Sequence, residues 1–317
     1  MRIAIVSDIH ANLVAFEAVL AQAKSVGYDA MICLGDVIGY GPDPVECIDL
    51  VRQHCEWTLL GNHDFAAVYE PTHFNPAARD AAFWTRDETV GGAFLARELA
   101  RIDAARKSGA LAPAAADAAV AKAHGDQKDR IDFMFRIAPR QILLDRYVCV
   151  HGSPAKPVNE YLFPNEVDQN SYRLERSFRM LTIEPKPGVE VRASAIVGHT
   201  HTPGYFLEES EGLYEWCAFS RGLMEWSPSK DEMPPGLRFI LNPGSVGQPR
   251  DGDPRASFAI LETSDETSDA TSDAAPDRFT FHRVEYDIAR TQEKLRVLRE
   301  SGAKLDQWLA DRLALGQ

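Results

Sequence analysis

Short apolar runs alternate with amphipathic segments over residues 1–65. The runs at 2–7, 30–34 and 56–60 have the length and composition of buried strands. Between them, residues 13–26 and 44–52 place apolar side chains at helical spacing. Repeated strand–helix units of this kind predict an α/β fold.

The pattern changes after residue 75. Residues 76–140 have the apolar spacing of helices, with an alanine-rich run over 110–123, and we interpret them as a helical cap or insertion. A second group of strands is predicted from about residue 142, with later members near 203–219, 237–241, 256–261 and 279–286. The apolar side chains of 295–309 predict one closing amphipathic helix.

The tract 263–277 is rich in serine, threonine, aspartate and alanine, which is typical of a low-complexity loop. We therefore expect a single domain over 1–317. The helical insertion at 76–140 and the low-complexity loop at 263–277 would both lie within it.

Polar loops follow the predicted strands, and five of them carry side chains that bind metals. These segments are Asp8-Ile9-His10, Gly35-Asp36, Gly61-Asn62-His63-Asp64, His151-Gly152 and Gly198-His199-Thr200-His201. In open α/β sheets, sites form at the carboxyl ends of strands. Residues i and i+2 project to the same side, so Asp8 and His10 can share one metal. Carboxylate, imidazole and amide donors without thiolate suit Mn, Fe, Zn or Ni better than Ca.

The composition narrows the class of function. A net charge of −13 argues against a protein that binds nucleic acid through a basic face. No run approaches the roughly 18 apolar residues of a membrane span, and the first apolar run is too short for a signal peptide, so we expect a cytoplasmic protein with no membrane partner. Cys33 and Cys149 lie in apolar runs and are predicted to be buried free thiols. An acidic chain can still bind phosphate where metal ions supply positive charge.

The ordered motifs D-x-H, GD, GNHD, H and GHTH resemble those of the calcineurin-like metallophosphoesterase superfamily. The runs 35–42 and 242–258 are similar to its bacterial branch related to phosphoprotein phosphatases and diadenosine tetraphosphatases. The resemblance implies a four-layer α-β-β-α sandwich of two mixed sheets, with flanking helices and a helical cap or insertion.

The resemblance also implies roles for individual residues. Two divalent transition-metal ions would be held by Asp8, His10 and His201 at the first position, by Asn62, His151 and His199 at the second, and by Asp36 between them. A hydroxide that bridges the metals would attack phosphorus. His63 would act as the general acid on the departing oxygen. Asp64 would either orient a neighbour or cap a turn.

One departure from the protein-phosphatase pattern bears on the substrate. Those enzymes continue the GD motif as GDxVDRG, whereas here Gly39 replaces the second aspartate and Tyr40 the arginine. The favoured function is therefore hydrolysis of small phosphate esters or nucleotide phosphoanhydrides, with a nucleotide or dinucleotide polyphosphate as the expected partner. A Ser/Thr protein phosphatase and a non-catalytic metal-binding scaffold stay open as alternatives.

Five further side chains are candidates for contact with the substrate. Arg250 and Arg255 are candidates because a guanidinium group binds phosphate in a bidentate manner. Asn75, Trp84 and Tyr161 are candidates for stacking on a base or for orienting the substrate.

Overall fold

The computed structural model describes most of the 317 residues. The described ranges are 1–72, 74–169, 171–186, 189–210, 212–219, 224–226, 238–263 and 277–317. Apart from its two end residues, the tract 263–277 that we predicted as a loop lies outside the described residues.

Most strands belong to two six-stranded mixed sheets. They are β1 (Arg2–Val6), β2 (Ala30–Cys33), β3 (Trp57–Thr58), β4 (Arg140–Leu143), β5 (Tyr147–Val150), β6 (Thr182–Lys186), β7 (Val189–Arg192), β8 (Ser194–Ile196), β9 (Gly204–Ser210), β10 (Leu213–Ala218), β11 (Met224–Trp226), β12 (Arg238–Asn242), β13 (Ala256–Glu262) and β14 (Arg278–Val284). The first sheet has the order β11-β14-β13-β1-β2-β3, and the second has the order β10-β9-β12-β8-β5-β4. β6 and β7 form a separate antiparallel pair.

The helices begin at residues suited to a helix N-terminus. They are α1 (Leu13–Val26), α2 (Pro44–His54), α3 (Asn62–Val68), α4 (Pro76–Glu88), α5 (Ala93–Lys107), α6 (Pro113–Arg136), α7 (Glu166–Gln169), α8 (Tyr172–Arg179), α9 (Ile288–Glu300) and α10 (Trp308–Asp311), followed by a 3₁₀ turn at Arg312–Leu315. Asn12 caps α1 by accepting a hydrogen bond from the backbone of Ala15. Proline occupies the first turn of α2, α4 and α6, where its missing N–H is not needed.

The two sheets pack face to face, and helices cover both outer faces. Because side chains alternate along a strand, Ile5 of β1 joins a buried cluster with Leu241 of the second sheet. Val6 points the other way and packs with Phe16 of α1. On the outer face of the second sheet, Phe178 of α8 is buried in another cluster. The predicted four-layer α-β-β-α sandwich is confirmed.

The segment between β3 and β4 is helical. It consists of α4, α5 and α6, and the alanine-rich run falls at the turn into α6 and along its first half. The chain returns to the sheets where Leu60 donates a backbone hydrogen bond to Ala138 (2.9 Å). That this segment caps the site stays a prediction.

The closing stretch differs from our expectation of one amphipathic helix. α9 ends at Glu300, and Gly302 has a φ of +102°, which a side chain would disfavour. The chain then turns, and α10 starts at Trp308. The helical spacing of leucines was misleading because Leu295 and Leu309, from two separate helices, are buried in the same cluster.

Some elements of the fold were not predicted. α7, α8 and the pair β6–β7 lie in a stretch for which we predicted no elements.

All five cysteines are free, and Cys33 and Cys149 are buried as expected. Within the described ranges, no helix combines the length and apolar character needed to cross a bilayer. The cytoplasmic location stays a prediction.

Candidate functional site

The carboxyl ends of five strands, from both sheets, lie around one buried cluster of side chains. β1, β2 and β3 are parallel neighbours in the first sheet, and β5 and β8 are parallel neighbours in the second. The loops that follow these strands carry all seven residues predicted as metal ligands, every one of them buried: Asp8, His10, Asp36, Asn62, His151, His199 and His201. The fold thus brings together residues that are far apart in the sequence.

Two groups of these side chains have the geometry of metal sites. One consists of Asp8, His10, Asp36 and His201, and the other of Asp36, His151 and His199. Within each group the ligand atoms lie within 4.8 Å of one another. Asp36 belongs to both groups, as expected for a residue that bridges two metals.

The backbone of the cluster is strained. The residues with positive φ include five of the predicted ligands: Asp8 (54°), His10 (49°), Asp36 (51°), His199 (67°) and His201 (59°). A residue other than glycine in this region costs about 1–3 kcal/mol, and such residues concentrate at functional sites. The surrounding structure therefore holds these side chains in directions that the backbone alone disfavours.

The hydrogen bonds of His151 fix the state of its ring. Nδ1 lies 3.0 Å from the main-chain oxygen of Leu34, which only accepts hydrogen bonds, so Nδ1 carries a proton. In the neutral ring, Nε2 then presents a lone pair. It faces Oδ1 of Asn62 at 3.2 Å and Oδ2 of Asp36 at 3.3 Å.

His201 has the same arrangement on the other side of the cluster. Its Nδ1 donates to the main-chain oxygen of Gln248, which leaves the lone pair of Nε2 directed into the cluster. That atom lies 3.1 Å from Nε2 of His10 and 3.2 Å from Oδ1 of Asp8. Nitrogen lone pairs and carboxylate oxygens thus point toward one another.

The carboxylate of Asp36 lies between the two groups. Its Oδ1 accepts a hydrogen bond from the backbone N–H of His63 (2.8 Å). Its Oδ2 is buried and has no hydrogen-bond donor among the described residues. Oδ2 faces Nε2 of His10 at 3.5 Å as well as Nε2 of His151. A buried carboxylate oxygen without a donor is costly, and cations in the cluster would satisfy it.

The pKa shifts describe a cluster that needs positive charge. Burial raises the pKa of Asp8, but His201 and other groups outweigh it and bring the pKa to about 2. Burial lowers the pKa of His10 and of His199, so both rings are neutral and offer lone pairs. Burial lowers the pKa of His151 too, but Asp36 outweighs it and raises the pKa to about 9, so this ring is protonated at pH 7 unless a bound cation takes the place of the proton. Ionised carboxylates beside neutral imidazoles are suitable ligands for divalent metals.

Polar residues inside and outside the five motifs brace the loops that carry the predicted ligands. Asn242 donates to the main-chain oxygen of Gly198 (2.6 Å), and Ser245 donates to that of Asp8 (2.9 Å). Asp64 accepts hydrogen bonds from the backbone of Ile38 (3.2 Å) and Gly61 (3.1 Å), so it ties two ligand loops together. These two backbone contacts are those of a turn cap, and the role of Asp64 in the site stays a prediction.

A cavity of about 540 Å³ opens beside the cluster. Its walls combine aromatic, amide and charged side chains: Tyr40, Asn62, His63, Thr72, Phe74, Asn75, Ala78, Lys156, Asn159, Glu160, Tyr161, Phe163, Arg173 and His199. Tyr161 stacks on the ring of His199 at 3.6 Å, and Phe163 stacks on Tyr161 at 5.1 Å. The sequence patterns did not single out Phe74, Phe163, Lys156 or Arg173, because no feature of the local sequence marks a residue as facing a cavity.

The remaining substrate candidates fall in different places. Tyr161 and Asn75 line the cavity, and Asn75 also caps α4. Trp84 instead packs beside a buried cluster and does not line the cavity, because it faces the core side of α4. Arg255 pairs with Asp253 at 2.6 Å, which occupies its guanidinium group. The guanidinium carbon of Arg250 lies 6.0 Å from the ring centre of Tyr40.

Comparison with known proteins gives evidence that is independent of this geometry. A sequence model of the calcineurin-like phosphoesterase family matches residues 1–218, which include all seven predicted ligands. The chain belongs to the calcineurin-like phosphoesterase family. The crystal structure of a metallophosphoesterase from Sphaerobacter thermophilus is similar over 100% of this chain and 99% of that one, with 34% identity and a TM-score of 0.68.

Two further relatives extend over the whole chain. An uncharacterized protein from Methanocaldococcus jannaschii is 29% identical over 99% of this chain and 98% of its own length. A hypothetical protein from Pyrococcus horikoshii OT3 shares the fold, with a TM-score of 0.55, 16% identity and coverage of 100% and 98%.

In this calcineurin-like phosphoesterase, aromatic rings hold His63. Its Nδ1 is buried and has no hydrogen-bond partner among the described residues. A Cβ on Gly39 would lie 2.4 Å from that atom, so the position taken by aspartate in the protein phosphatases has no room for a side chain here. Tyr40 lies against the His63 ring at 4.2 Å, and Phe74 does so at 4.7 Å.

Gly39→Ala should therefore disturb His63 without removing metal ligands. Gly39 has a φ of +92°, and the added methyl group would push the His63 ring aside. We expect turnover of an alkyl phosphate, whose departing oxygen needs a proton, to fall by about 100-fold, the order of effect that a 1 Å misplacement has on catalysis. Metal content, measured by mass spectrometry, should not change.

Gly92→Ala is the matched control. Gly92 also has a positive φ (+79°), but an added Cβ would meet nothing within 4 Å. This variant should carry similar backbone strain and keep its turnover. Equal activity in the two variants would show that Gly39 does not position His63.

Proposed function

We propose that this protein hydrolyses phosphate esters or phosphoanhydrides of small molecules at a centre of two divalent transition-metal ions (Mn, Fe, Zn or Ni). The observation that carries the proposal is Oδ2 of Asp36. It is a buried anionic oxygen with no donor among the residues described, and it lies between two imidazole nitrogens that belong to different ligand groups.

The donor set supports a two-metal centre with Asp36 as the bridge. Asp8, His10 and His201 would complete one position, and Asn62, His151 and His199 would complete the other. Two divalent ions held there would supply an ionised water as the nucleophile and neutralise charge on the phosphoryl oxygens. The chain itself orients its ligands through backbone partners, as His151 does with Leu34 and His201 with Gln248.

His63 is suited to act on the departing oxygen. It lines the cavity next to Asn62, and the Asp36 carboxylate acts to raise the pKa of its ring. Burial lowers the pKa of His63 to about 4, and Asp36 opposes this only in part. The ring is therefore neutral at pH 7 until an anion binds beside it. A phosphoryl group would favour its protonated form, which can donate the proton that the leaving group needs.

The cavity favours a small substrate. Its volume of about 540 Å³ is in the usual range for small-molecule sites. Phe74 and Asn75, at the start of α4, form part of its wall and support the idea that the helical segment is a cap. Tyr161 and Phe163 offer aromatic surface for a nucleotide base. The Ser/Thr protein phosphatase gains no support, since Gly39 and Tyr40 stand in place of that family's aspartate and arginine.

Metal removal tests the proposal most simply. Protein treated with EDTA should lose hydrolysis of p-nitrophenyl phosphate, and Mn²⁺ should restore it, because the buried lone pairs hold the ions that activate water. Asp36→Asn should fail to regain activity. The matched control is Asp129→Asn, an exposed carboxylate on α6, which should behave like the wild type. Full activity after exhaustive metal removal would refute a metal-dependent reaction.

Substrates with different leaving groups test whether His63 acts as the general acid. In His63→Asn, turnover of an alkyl phosphate should fall by about 10²–10⁴-fold, the usual contribution of a general acid. Turnover of p-nitrophenyl phosphate should fall much less, because p-nitrophenolate leaves without protonation. The measurement is steady-state kinetics with both esters, at a metal content equal to that of the wild type. An equal loss with both esters would assign His63 to another role.

A further inference from the structure

The loop that follows β5 places Tyr161 on the ring of His199. The two ring centres lie 3.6 Å apart and the ring planes are 21° from parallel, which is a stacked arrangement. His199 is one of the predicted metal ligands and is buried, whereas Tyr161 is half-buried and lines the cavity. The contact therefore joins the wall of the cavity to the metal cluster.

His199 is held differently from two of the other histidine ligands. A main-chain oxygen fixes the ring of His151 and that of His201 through Nδ1. The hydrogen bonds found for His199 run from its backbone N–H to the carboxylate of Asp8 (3.2 Å), and they do not fix the ring. Its Nε2 is buried and has no hydrogen-bond partner among the described residues. The direction of this ring therefore depends on packing, and its stacked neighbour is Tyr161.

Tyr161 is fixed by the residues on either side of it in the chain. Glu160 is buried, and its carboxylate accepts hydrogen bonds from Ser153 (2.5 Å) and from Arg176 of α8. Leu162 belongs to the buried cluster on the outer face of the second sheet. An ion pair with α8 on one side and core packing on the other leave the backbone of Tyr161 little freedom. A ring held in this way can fix the position of its neighbour.

Stacking on a phenol ring also favours the metal-bound form of an imidazole. A divalent cation draws electron density from the imidazole that binds it, so the bound ring carries partial positive charge. The face of an aromatic ring is electron-rich and attracts such charge. The contact between Tyr161 and His199 is therefore more favourable when His199 holds an ion than when it does not.

We propose that Tyr161 is a positioning residue that acts through His199. Its ring holds the imidazole in the direction that binds one of the two ions, and so it does for His199 what main-chain oxygens do for His151 and His201. Groups that orient a metal ligand contribute about 10–100-fold to metal affinity. This inference rests on the two-metal centre of the proposed function, and Tyr161 can line the cavity at the same time.

Calorimetric titration of the metal-free protein with Mn²⁺ tests this role without turnover. The wild type should bind two ions. Tyr161→Ala should bind one of them as the wild type does and the other about tenfold or more weakly, because only the position that includes His199 loses its support. Electron paramagnetic resonance at two equivalents of Mn²⁺ should show free Mn²⁺ in this variant. Unchanged binding of both ions by Tyr161→Ala would overturn the inference.

Two further substitutions separate the aromatic ring from the bulk of the side chain. Tyr161→Phe keeps the stacked ring and should bind both ions as the wild type does. Tyr161→Leu keeps much of the volume but has no aromatic face, and it should lose the same ion as Tyr161→Ala. Should Tyr161→Ala melt at a lower temperature than the wild type, these two variants decide. Weaker binding by Tyr161→Phe, or full binding of both ions by Tyr161→Leu, would contradict a role for the stacked ring.

Phe163→Ala is the matched control. Phe163 lies on the same loop, stacks on Tyr161 at 5.1 Å and is 43% exposed, so its removal takes an aromatic ring from the cavity wall and leaves the contact with His199 in place. This variant should bind both ions as the wild type does. An equal loss in Phe163→Ala and Tyr161→Ala would show that the loop as a whole, and not the contact with His199, supports the ion.

The outcome also separates this inference from the proposed function. A protein that hydrolyses p-nitrophenyl phosphate and binds both ions equally well after Tyr161→Ala is a phosphoesterase in which Tyr161 has no such role. A protein that hydrolyses nothing, yet holds its second ion only when Tyr161 is present, has the positioning residue but not the proposed activity. A wild type that binds fewer than two ions contradicts both.

Discussion

One oxygen of Asp36 sets the main constraint on this structure. It is buried and anionic, it has no hydrogen-bond donor in the part of the chain that the structure describes, and ring nitrogens from both sheets face it. Such an arrangement is unfavourable unless cations are held there. Other features of the site maintain it: left-handed backbone at five ligands, a close approach of Gly61 to the Asp36 carboxylate, and braces from Asn242 and Ser245. The fold thus keeps these carboxylates and imidazoles close together and away from water.

The surroundings of His63 differ from the pattern of the protein phosphatases. Where protein phosphatases have aspartate, Gly39 lets the backbone touch the imidazole ring, and Tyr40 and Phe74 hold it by stacking. Tyr40 is also buried against α4 and the C-terminal helices. The position of His63 therefore depends on packing that involves the helical segment and the end of the chain, in addition to the loops at the strand ends.

The sequence was sufficient for the parts of the molecule that have local signatures. The bounds of α1 followed from the spacing of its apolar side chains, and the motifs at strand ends singled out side chains that the fold brings together in one buried cluster. It was not sufficient where distant segments decide the outcome. The leucines of α9 and α10 looked like one helix because both helices bury them in one cluster. Phe163 is an ordinary aromatic residue until the fold places it in a cavity wall. Trp84, which looked like a substrate contact, packs on the core side of its helix.

The most direct test of this account is the anomalous diffraction of crystals grown with Mn²⁺. The account predicts two peaks, one on each side of the Asp36 carboxylate, with His10 and His201 beside one and His151 and His199 beside the other. A single peak that Asp36 does not contact, or no peak within this cluster, would contradict the claim that the buried carboxylate exists to bridge two ions.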